Sequence, residues 1–139
     1  MTAQQAGAVP YRRTHGPLEL CLITTASAGK WSIPKGFIDP GDTARETVAR
    51  EAWEEAGLHG QVVGDTVGYY EVTKFGTVFT VAVYLFEVER VDDAWEEQAI
   101  RQRRWATPAE ATRLLEGRPV SGVVGRALTL LEAARSPDA

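Results

Sequence analysis

The sequence predicts a single α+β domain in which several helices pack against one main sheet. The chain has 139 residues, a length that suits one domain. Strand-like runs rich in β-branched residues alternate with three predicted helices, two of which carry clear start signals. Hydrophobic residues make up 44% and charged residues 24% of the chain. These fractions are typical of a globular protein and argue against disordered and fibrous classes.

Most of the predicted strands lie in apolar, β-branched runs bounded by turn residues. The first strands end before Pro34, and the following segment, 35–42, contains Gly36, Pro40 and Gly41 and predicts a loop. The segment 74–76 predicts a hairpin turn, and residues 1–4 are expected to be disordered. Strands are predicted over residues 6–12, 18–25, 31–33, 61–63, 67–73, 78–88 and 103–106.

Three helices are predicted, and the first has the clearest boundaries. Thr43 and Glu46 match a capping box, and Gly57 stands where a left-handed cap commonly ends a helix. A second helix is expected after Thr107, where Pro108 occupies the first helical position, and continues to residue 115. A terminal helix is expected over residues 121–134.

Charge and cysteine content limit the functional classes. The net charge of −4 argues against a general nucleic-acid binder, which usually presents a basic surface. The lone Cys21 lies in an apolar run and is interpreted as a small buried hydrophobe, which favours a cytoplasmic setting. The sequence contains no apolar run of membrane-spanning length and no secretory signal pattern. His15 and His59 lie in loop-like stretches and are not expected to be catalytic.

Three glutamates of the first predicted helix form the strongest chemical signal. Glu51, Glu54 and Glu55 stand at i, i+3 and i+4, a spacing that places them on one side of a helix. Taken alone, such a cluster is most often a solvated helix face. A divalent cation would remove the repulsion between these carboxylates, and Mg²⁺ and Mn²⁺ prefer oxygen ligands of this kind.

The surrounding residues resemble the Nudix box, G-x5-E-x7-R-E-U-x-E-E-x-G-U, in which U is aliphatic. The box covers residues 36–58, and one position departs from it, since Asp42 replaces the first Glu. Asp42 is expected to serve the start of the helix, because Asp favours caps. Ala52 at the first U position indicates close packing of the helix on the sheet. The fixed positions that match are Gly36, Arg50, Glu51, Glu54, Glu55 and Gly57.

Membership of the Nudix family implies an α/β/α sandwich with a mixed central sheet, a box loop-helix and C-terminal helices. It also implies hydrolysis of a phosphoanhydride bond with Mg²⁺ or Mn²⁺ as cofactor. By this resemblance Glu51, Glu55 and Glu54 hold metal, together with the backbone carbonyl of Lys35. Glu54 is a further ligand or the base that activates water, and Arg50 orients a catalytic glutamate. A non-catalytic Nudix-fold module that binds a nucleotide or a protein is the alternative.

The segment 95–105 resembles the diphosphoinositol polyphosphate phosphohydrolase branch, which also cleaves long dinucleoside polyphosphates. Such anionic substrates require several cations, and the residues expected to bind them are Lys35, Arg103, Arg101, Lys74 and Arg12. Trp31, Trp53, Trp95 and Trp105 could stack on a nucleobase, although tryptophans more often pack in or near a core. No membrane partner is expected, and the chain is expected to be a monomer or homodimer.

Overall fold

The computed structural model describes residues 2–13 and 16–135, with the side chain of Arg135 excluded. It contains seven strands and three helices within these ranges. The strands are β1 (Gln5–Arg12), β2 (Glu19–Thr24), β3 (Trp31–Ser32), β4 (Lys35–Phe37), β5 (Leu58–Lys74), β6 (Thr77–Val91) and β7 (Arg103–Ala106). The helices are α1 (Ala44–Ala56), α2 (Pro108–Leu114) and α3 (Ser121–Arg135). Met1 and His15 lie outside the described residues.

All seven strands form one mixed sheet, as expected for the predicted α+β class. Its main path runs β3-β2-β1-β6-β5, with β4 paired to β1 and β7 paired to β2. Only the pairing of β1 with β6 is parallel, and it runs from Gln5 opposite Val81 to Tyr11 opposite Glu87. Strands β5 and β6 form a long hairpin whose turn has positive φ at both Phe75 and Gly76, as the predicted turn requires.

Helices cover both faces of the sheet and so produce the α/β/α sandwich. Alternate residues of β1 point in opposite directions, so that Ala6 and Ala8 face α1 while Val9 and Tyr11 face the other side. The small side chains of Ala6 and Ala8 allow Ala52 of α1 to pack closely, and all three are fully buried. Cys21 is buried in the same layer, where burial raises the pKa of its thiol to about 12. The second layer holds α2 and α3.

Two predicted boundaries were wrong, and pairing between distant strands explains both. The predicted loop 35–42 begins with β4, because Lys35 and Gly36 pair with Gly7 and Ala6 of β1. The separate strands predicted over 61–63 and 67–73 form one strand, β5, which continues through a register shift between Val63 and Gly68. The intervening turn residues therefore mark a bulge and not a chain reversal. Within the described residues, no helix is both long and apolar enough to cross a bilayer.

Order also extends closer to the N-terminus than expected. The Gln4 backbone N–H donates to the carbonyl of Thr80 at 3.1 Å, and its own carbonyl accepts from Ile38. The Gln4 side chain additionally accepts from the Thr80 N–H at 2.8 Å. These bonds join Gln4 to β6 on one side and to the residue after β4 on the other, so its backbone is fixed.

Candidate metal and substrate site

Helix α1 begins and ends where the sequence predicts, and its position fixes the direction in which each of its glutamates points. Thr43 is the N-cap and forms the full capping box with Glu46. Gly57 ends the helix with φ of 68°, and its N–H bonds back to the last turn. With Val48, Ala52 and Ala56 fully buried against the sheet, the adjoining side of α1 carries Glu51 and Glu55 to the edge of the sheet next to β4.

Glu51 lies directly against Gly36 of β4. A Cβ atom at position 36 would lie 2.3 Å from the Glu51 carboxyl carbon and 2.4 Å from its Oε2. Glycine is therefore required for this arrangement, because the Glu51 carboxylate occupies the space that a side chain at position 36 would fill. Only 12% of the Glu51 side chain is exposed. Burial is the largest influence on the Glu51 pKa and raises it, and Glu54 adds to the increase.

Arg50 connects the start of the box to its helix. Its Nη1 donates to Asp42 Oδ2 at 2.7 Å, and its Nη2 donates to the carbonyl of Phe37 at 3.3 Å. Its Nε lies 3.8 Å from Glu51 Oε2. Thr43 is the cap, as its capping box with Glu46 predicts, and Asp42, which was expected to serve the start of α1, binds Arg50. Asp42 thus keeps a carboxylate at the position of the first box glutamate, and this carboxylate binds Arg50 of the same box.

Glu55 is the most buried of the three acids, with 8% of its side chain exposed. Its Oε1 accepts from the backbone N–H of Lys35 at 3.2 Å, and its Oε2 lies 3.1 Å from Arg101 Nη2. Burial raises the pKa of Glu55, and the neighbouring Glu51 raises it further, whereas Arg101 acts in the opposite direction. Glu51 and Glu55 therefore form a crowded acidic pair that a cation would stabilise.

The segment between β6 and β7 contributes acids that sequence reasoning missed. Carboxylate oxygens of Glu54, Glu96 and Glu97 all lie within 4.8 Å of one another. The Glu97 N–H donates to the Glu54 carbonyl at 3.1 Å, which fixes this segment against the last turn of α1. Arg101 Nε binds Glu97 Oε1 at 2.6 Å, so one guanidinium contacts acids from α1 and from this segment. The acidic pair Glu96-Glu97 was visible in the sequence, but no local pattern connects it to Glu54.

A cleft of about 430 Å³ opens beside these acids, and four cationic side chains line it. Lys35, Lys74 and Arg101 were expected to bind substrate, and all three line the cleft. Arg118, which sequence reasoning missed, also lines it and donates from Nε to the Trp31 carbonyl at 3.3 Å. Lys35, Lys74 and Arg118 form no salt bridge with other described residues. Their charges are therefore available to an anionic ligand.

Two other predicted substrate residues lie elsewhere. Arg12 binds Glu19 at 3.0 Å, and its guanidinium stacks 3.6 Å from the Trp105 ring centroid. Arg103 stacks on Trp95 and donates to the carbonyls of Ala56 and Asp92, which secures the end of α1. Neither arginine lines the cleft. Arg101 lies before β7, which begins at Arg103, so the two arginines do not share a strand face. Both contact the last turn of α1, Arg101 through Glu55 and Arg103 through the Ala56 carbonyl, but only Arg101 lines the cleft.

The remaining aromatic and imidazole groups have structural contacts or face solvent. Trp53 was expected to pack, yet it is 45% exposed, because the buried side of α1 is formed by smaller residues. His59 Nε2 lies 2.7 Å from Asp92 Oδ2, a contact near the strand ends and outside the cleft lining.

The acids present fit a hard divalent cation. Glu54, Glu96 and Glu97 bring their carboxylates together, and Glu51 and Glu55 form a neighbouring acidic pair of which Glu55 lines the cleft. Carboxylate oxygens are the ligands that Mg²⁺ and Mn²⁺ prefer. The absence of any Cβ at Gly36 leaves space for the Glu51 carboxylate between β4 and α1. Apart from Arg101, the described residues place no cation in direct contact with Glu55.

Comparison with known proteins places this geometry in a family. The NUDIX domain model matches residues 1–128. The chain is 31% identical over 119 residues to Nudix hydrolase 21, chloroplastic, of Arabidopsis thaliana, covering 81% of this chain and 60% of that protein. It is 24% identical to the asymmetrical bis(5′-nucleosyl)-tetraphosphatase of Caenorhabditis elegans, covering 84% of this chain and 87% of that protein.

A solved structure shares the fold. A crystal structure of a C. elegans Ap4A hydrolase binary complex superposes with a TM-score of 0.81 at 21% identity, covering 95% of this chain and 99% of that one. The family model spans nearly the whole chain, and the box residues it depends on meet in one loop-helix beside a cation-lined cleft. This chain therefore belongs to the Nudix family.

Proposed function

We propose that this chain is a divalent-metal-dependent hydrolase of phosphoanhydride bonds. One observation carries the proposal: three cations that form no salt bridge within the described residues line a cleft together with Glu55, a buried acid of the box helix. Cations at Lys35, Lys74 and Arg118 suit the phosphates of a substrate, whereas Glu51 and Glu55 suit the metal. Membership of the Nudix family supports this division of roles.

The residues around the acids support specific roles in that reaction. A bound divalent ion would screen the phosphate charge and lower the pKa of water. Glu54 is less buried than Glu55, and burial together with Glu96 raises its pKa. Both properties suit a base that accepts a proton from water, which we assign to Glu54. Arg50 holds Asp42 and lies beside Glu51, so we assign it the positioning of that glutamate.

We further propose a substrate with a long phosphate chain or several phosphates, such as a dinucleoside polyphosphate or a diphosphoinositol polyphosphate. Lys74 at the end of β5 and Arg118 before α3 lie on separate elements of the cleft wall. Two cations so separated suit phosphates beyond the pair that is cleaved. The similarity to a bis(5′-nucleosyl)-tetraphosphatase supports testing this class first. A nucleoside diphosphate linked to another group remains within the panel.

The test is a substrate panel with Mg²⁺ or Mn²⁺, in which release of phosphate or nucleotide is measured. We expect Glu51→Gln and Glu54→Gln each to lower turnover by roughly 100-fold, the scale of general-base catalysis. Glu116→Gln is the matched control, because Glu116 is exposed between α2 and α3, outside the cleft lining. Equal turnover in the wild type and Glu51→Gln would refute the assignment.

The same experiment separates catalysis from binding alone. Chelation of the metal with EDTA should abolish turnover, and added Mn²⁺ or Mg²⁺ should restore it. Nucleotide binding by the wild type without any turnover across the panel would favour the non-catalytic module instead. A cytoplasmic location, monomeric or dimeric state and the preferred ion are predictions that this panel does not address.

A further inference from the structure

The floor of the cleft contains a polar group that the proposed chemistry does not use. Tyr70 of β5 is 9% exposed, and its ring packs with the apolar layer that α3 covers. Its hydroxyl oxygen is shielded from solvent and forms no hydrogen bond of normal geometry with the described residues, although the Ser32 side chain lies close enough to act on its pKa as a hydrogen-bonding neighbour. Tyr70 is nonetheless one of the residues that line the cleft. A buried hydroxyl without a partner destabilises a fold, so its retention calls for a reason.

Tyr70 lines the same cleft as the acidic Glu55 and the basic Arg118. Glu55 and Arg118 are both close enough to affect the pKa of Tyr70 electrostatically, and the Ser32 side chain acts on it as well. Burial is the largest influence and raises the pKa. The phenol therefore keeps its proton at neutral pH and is able to donate it to an acceptor.

We infer that the Tyr70 hydroxyl is a substrate-binding donor, which bonds to a phosphate oxygen of a molecule held in the cleft that Glu55 and Arg118 also line. This inference rests on the proposed function, since it assumes that a phosphorylated molecule occupies the cleft. A phosphate oxygen is a strong acceptor, and it would satisfy the hydroxyl only when substrate is bound. Tyr70 then contributes to affinity for the substrate but not to the stability of the empty protein.

Because the hydroxyl is expected to affect substrate affinity and not stability, the inference can be tested by removing its one oxygen atom. Tyr70→Phe removes the hydroxyl and keeps the ring that packs in the core. Tyr69→Phe is the matched control, because Tyr69 is the adjacent residue of β5 and is 44% exposed. Three proteins are compared, and each is measured for thermal unfolding without ligand, for binding of methylenediphosphonate with Mg²⁺, and for kcat and KM with diadenosine tetraphosphate.

We expect the empty Tyr70→Phe protein to unfold at the wild-type temperature or above it, because an unsatisfied polar group has been removed. Its affinity for methylenediphosphonate should fall by about 3- to 10-fold, the scale of one neutral hydrogen bond. KM for diadenosine tetraphosphate should rise by a similar factor with kcat within about twofold, as expected for a binding contact. Tyr69→Phe should match the wild type in every measurement.

Other outcomes overturn the inference in distinguishable ways. A lower unfolding temperature for Tyr70→Phe than for Tyr69→Phe would assign the hydroxyl to the fold, through a buried water. Wild-type affinity and KM in Tyr70→Phe would show that the hydroxyl does not contact substrate, while leaving the proposed hydrolase intact. Failure of the wild type itself to bind methylenediphosphonate and to cleave diadenosine tetraphosphate would refute this inference and the long-phosphate proposal together.

Discussion

Replacing Gly36 with alanine should separate activity from stability. The new Cβ would lie 2.3 Å from the Glu51 carboxyl carbon, whereas carbon atoms in contact are about 3.5–4.0 Å apart. The carboxylate must therefore move by about 1 Å or more. Because a misplacement of about 1 Å at a reacting centre can cost about 100-fold in rate, we expect a loss of that size in kcat/KM.

The unfolding free energy should change far less. All three atoms that the new methyl would meet belong to the Glu51 carboxylate, the far end of a side chain that is able to rotate away. Gly36 also lacks the left-handed φ that would strain alanine, and alanine lowers the entropy of the unfolded chain. We therefore expect the free energy of unfolding to remain within about 1 kcal/mol of the wild type.

The assay combines calorimetric titration with Mn²⁺, steady-state kinetics and urea unfolding. Gly125→Ala is the control, because no atom lies within 4 Å of a Cβ built at this helical position. That substitution should keep full activity and stabilise the protein by up to about 1 kcal/mol. Wild-type Mn²⁺ affinity and turnover in Gly36→Ala would refute the view that the contact between β4 and Glu51 shapes the metal site.

Three further predictions follow from the contacts. Arg103→Ala removes two hydrogen bonds to backbone carbonyls, so it should lower the free energy of unfolding in urea by about 2 kcal/mol with kcat nearly retained. The control Arg104→Ala, at an exposed arginine, should lower the free energy of unfolding by less than about 1 kcal/mol. Loss of activity without loss of stability in Arg103→Ala would instead support a substrate-binding role. In EDTA, the unfolding temperature should fall as pH rises from 4.5 toward about 9, because folded Glu55 keeps a proton that the unfolded chain releases. Glu55→Gln should make the unfolding temperature depend less on pH, and an unchanged dependence would contradict the raised pKa of Glu55. Lys74→Ala should raise KM for a dinucleoside tetraphosphate about 3- to 10-fold and should raise KM for a nucleoside diphosphate sugar less. An equal rise in KM for the two substrates would argue against a contact between Lys74 and distal phosphates.

Local sequence signals predicted the box helix well, because each acts over a few residues. Thr43 and Glu46 satisfy each other within one turn, and Gly57 supplies the conformation that ends the helix. The same range of interaction sets the spacing of Glu51 and Glu55. For this reason the helix, its caps and its acids were predictable before any tertiary contact was known.

Boundaries and charge partners were harder to predict because they depend on segments distant in the chain. β4 exists because β1 pairs with it, although its own residues are typical of a loop. Arg101 and Arg103 look equivalent in the sequence, yet one binds Glu55 and the other binds backbone carbonyls at the end of α1. No local pattern distinguishes the two arginines, because β7 begins only at Arg103 and the contacts of both depend on where α1 ends in space.

By itself, the sequence determined the family, the box helix and the acids that make a metal site reasonable, since those features depend on spacing along a single helix. Only the tertiary structure decided which cations reach the cleft and which acids join the box. It brought Glu97 to Glu54 and Arg118 to the cleft wall, and it buried the Tyr70 hydroxyl without a well-formed hydrogen bond to any residue that the structure describes. The physical reason is that burial and pairing depend on distances in space, which separation along the chain does not fix.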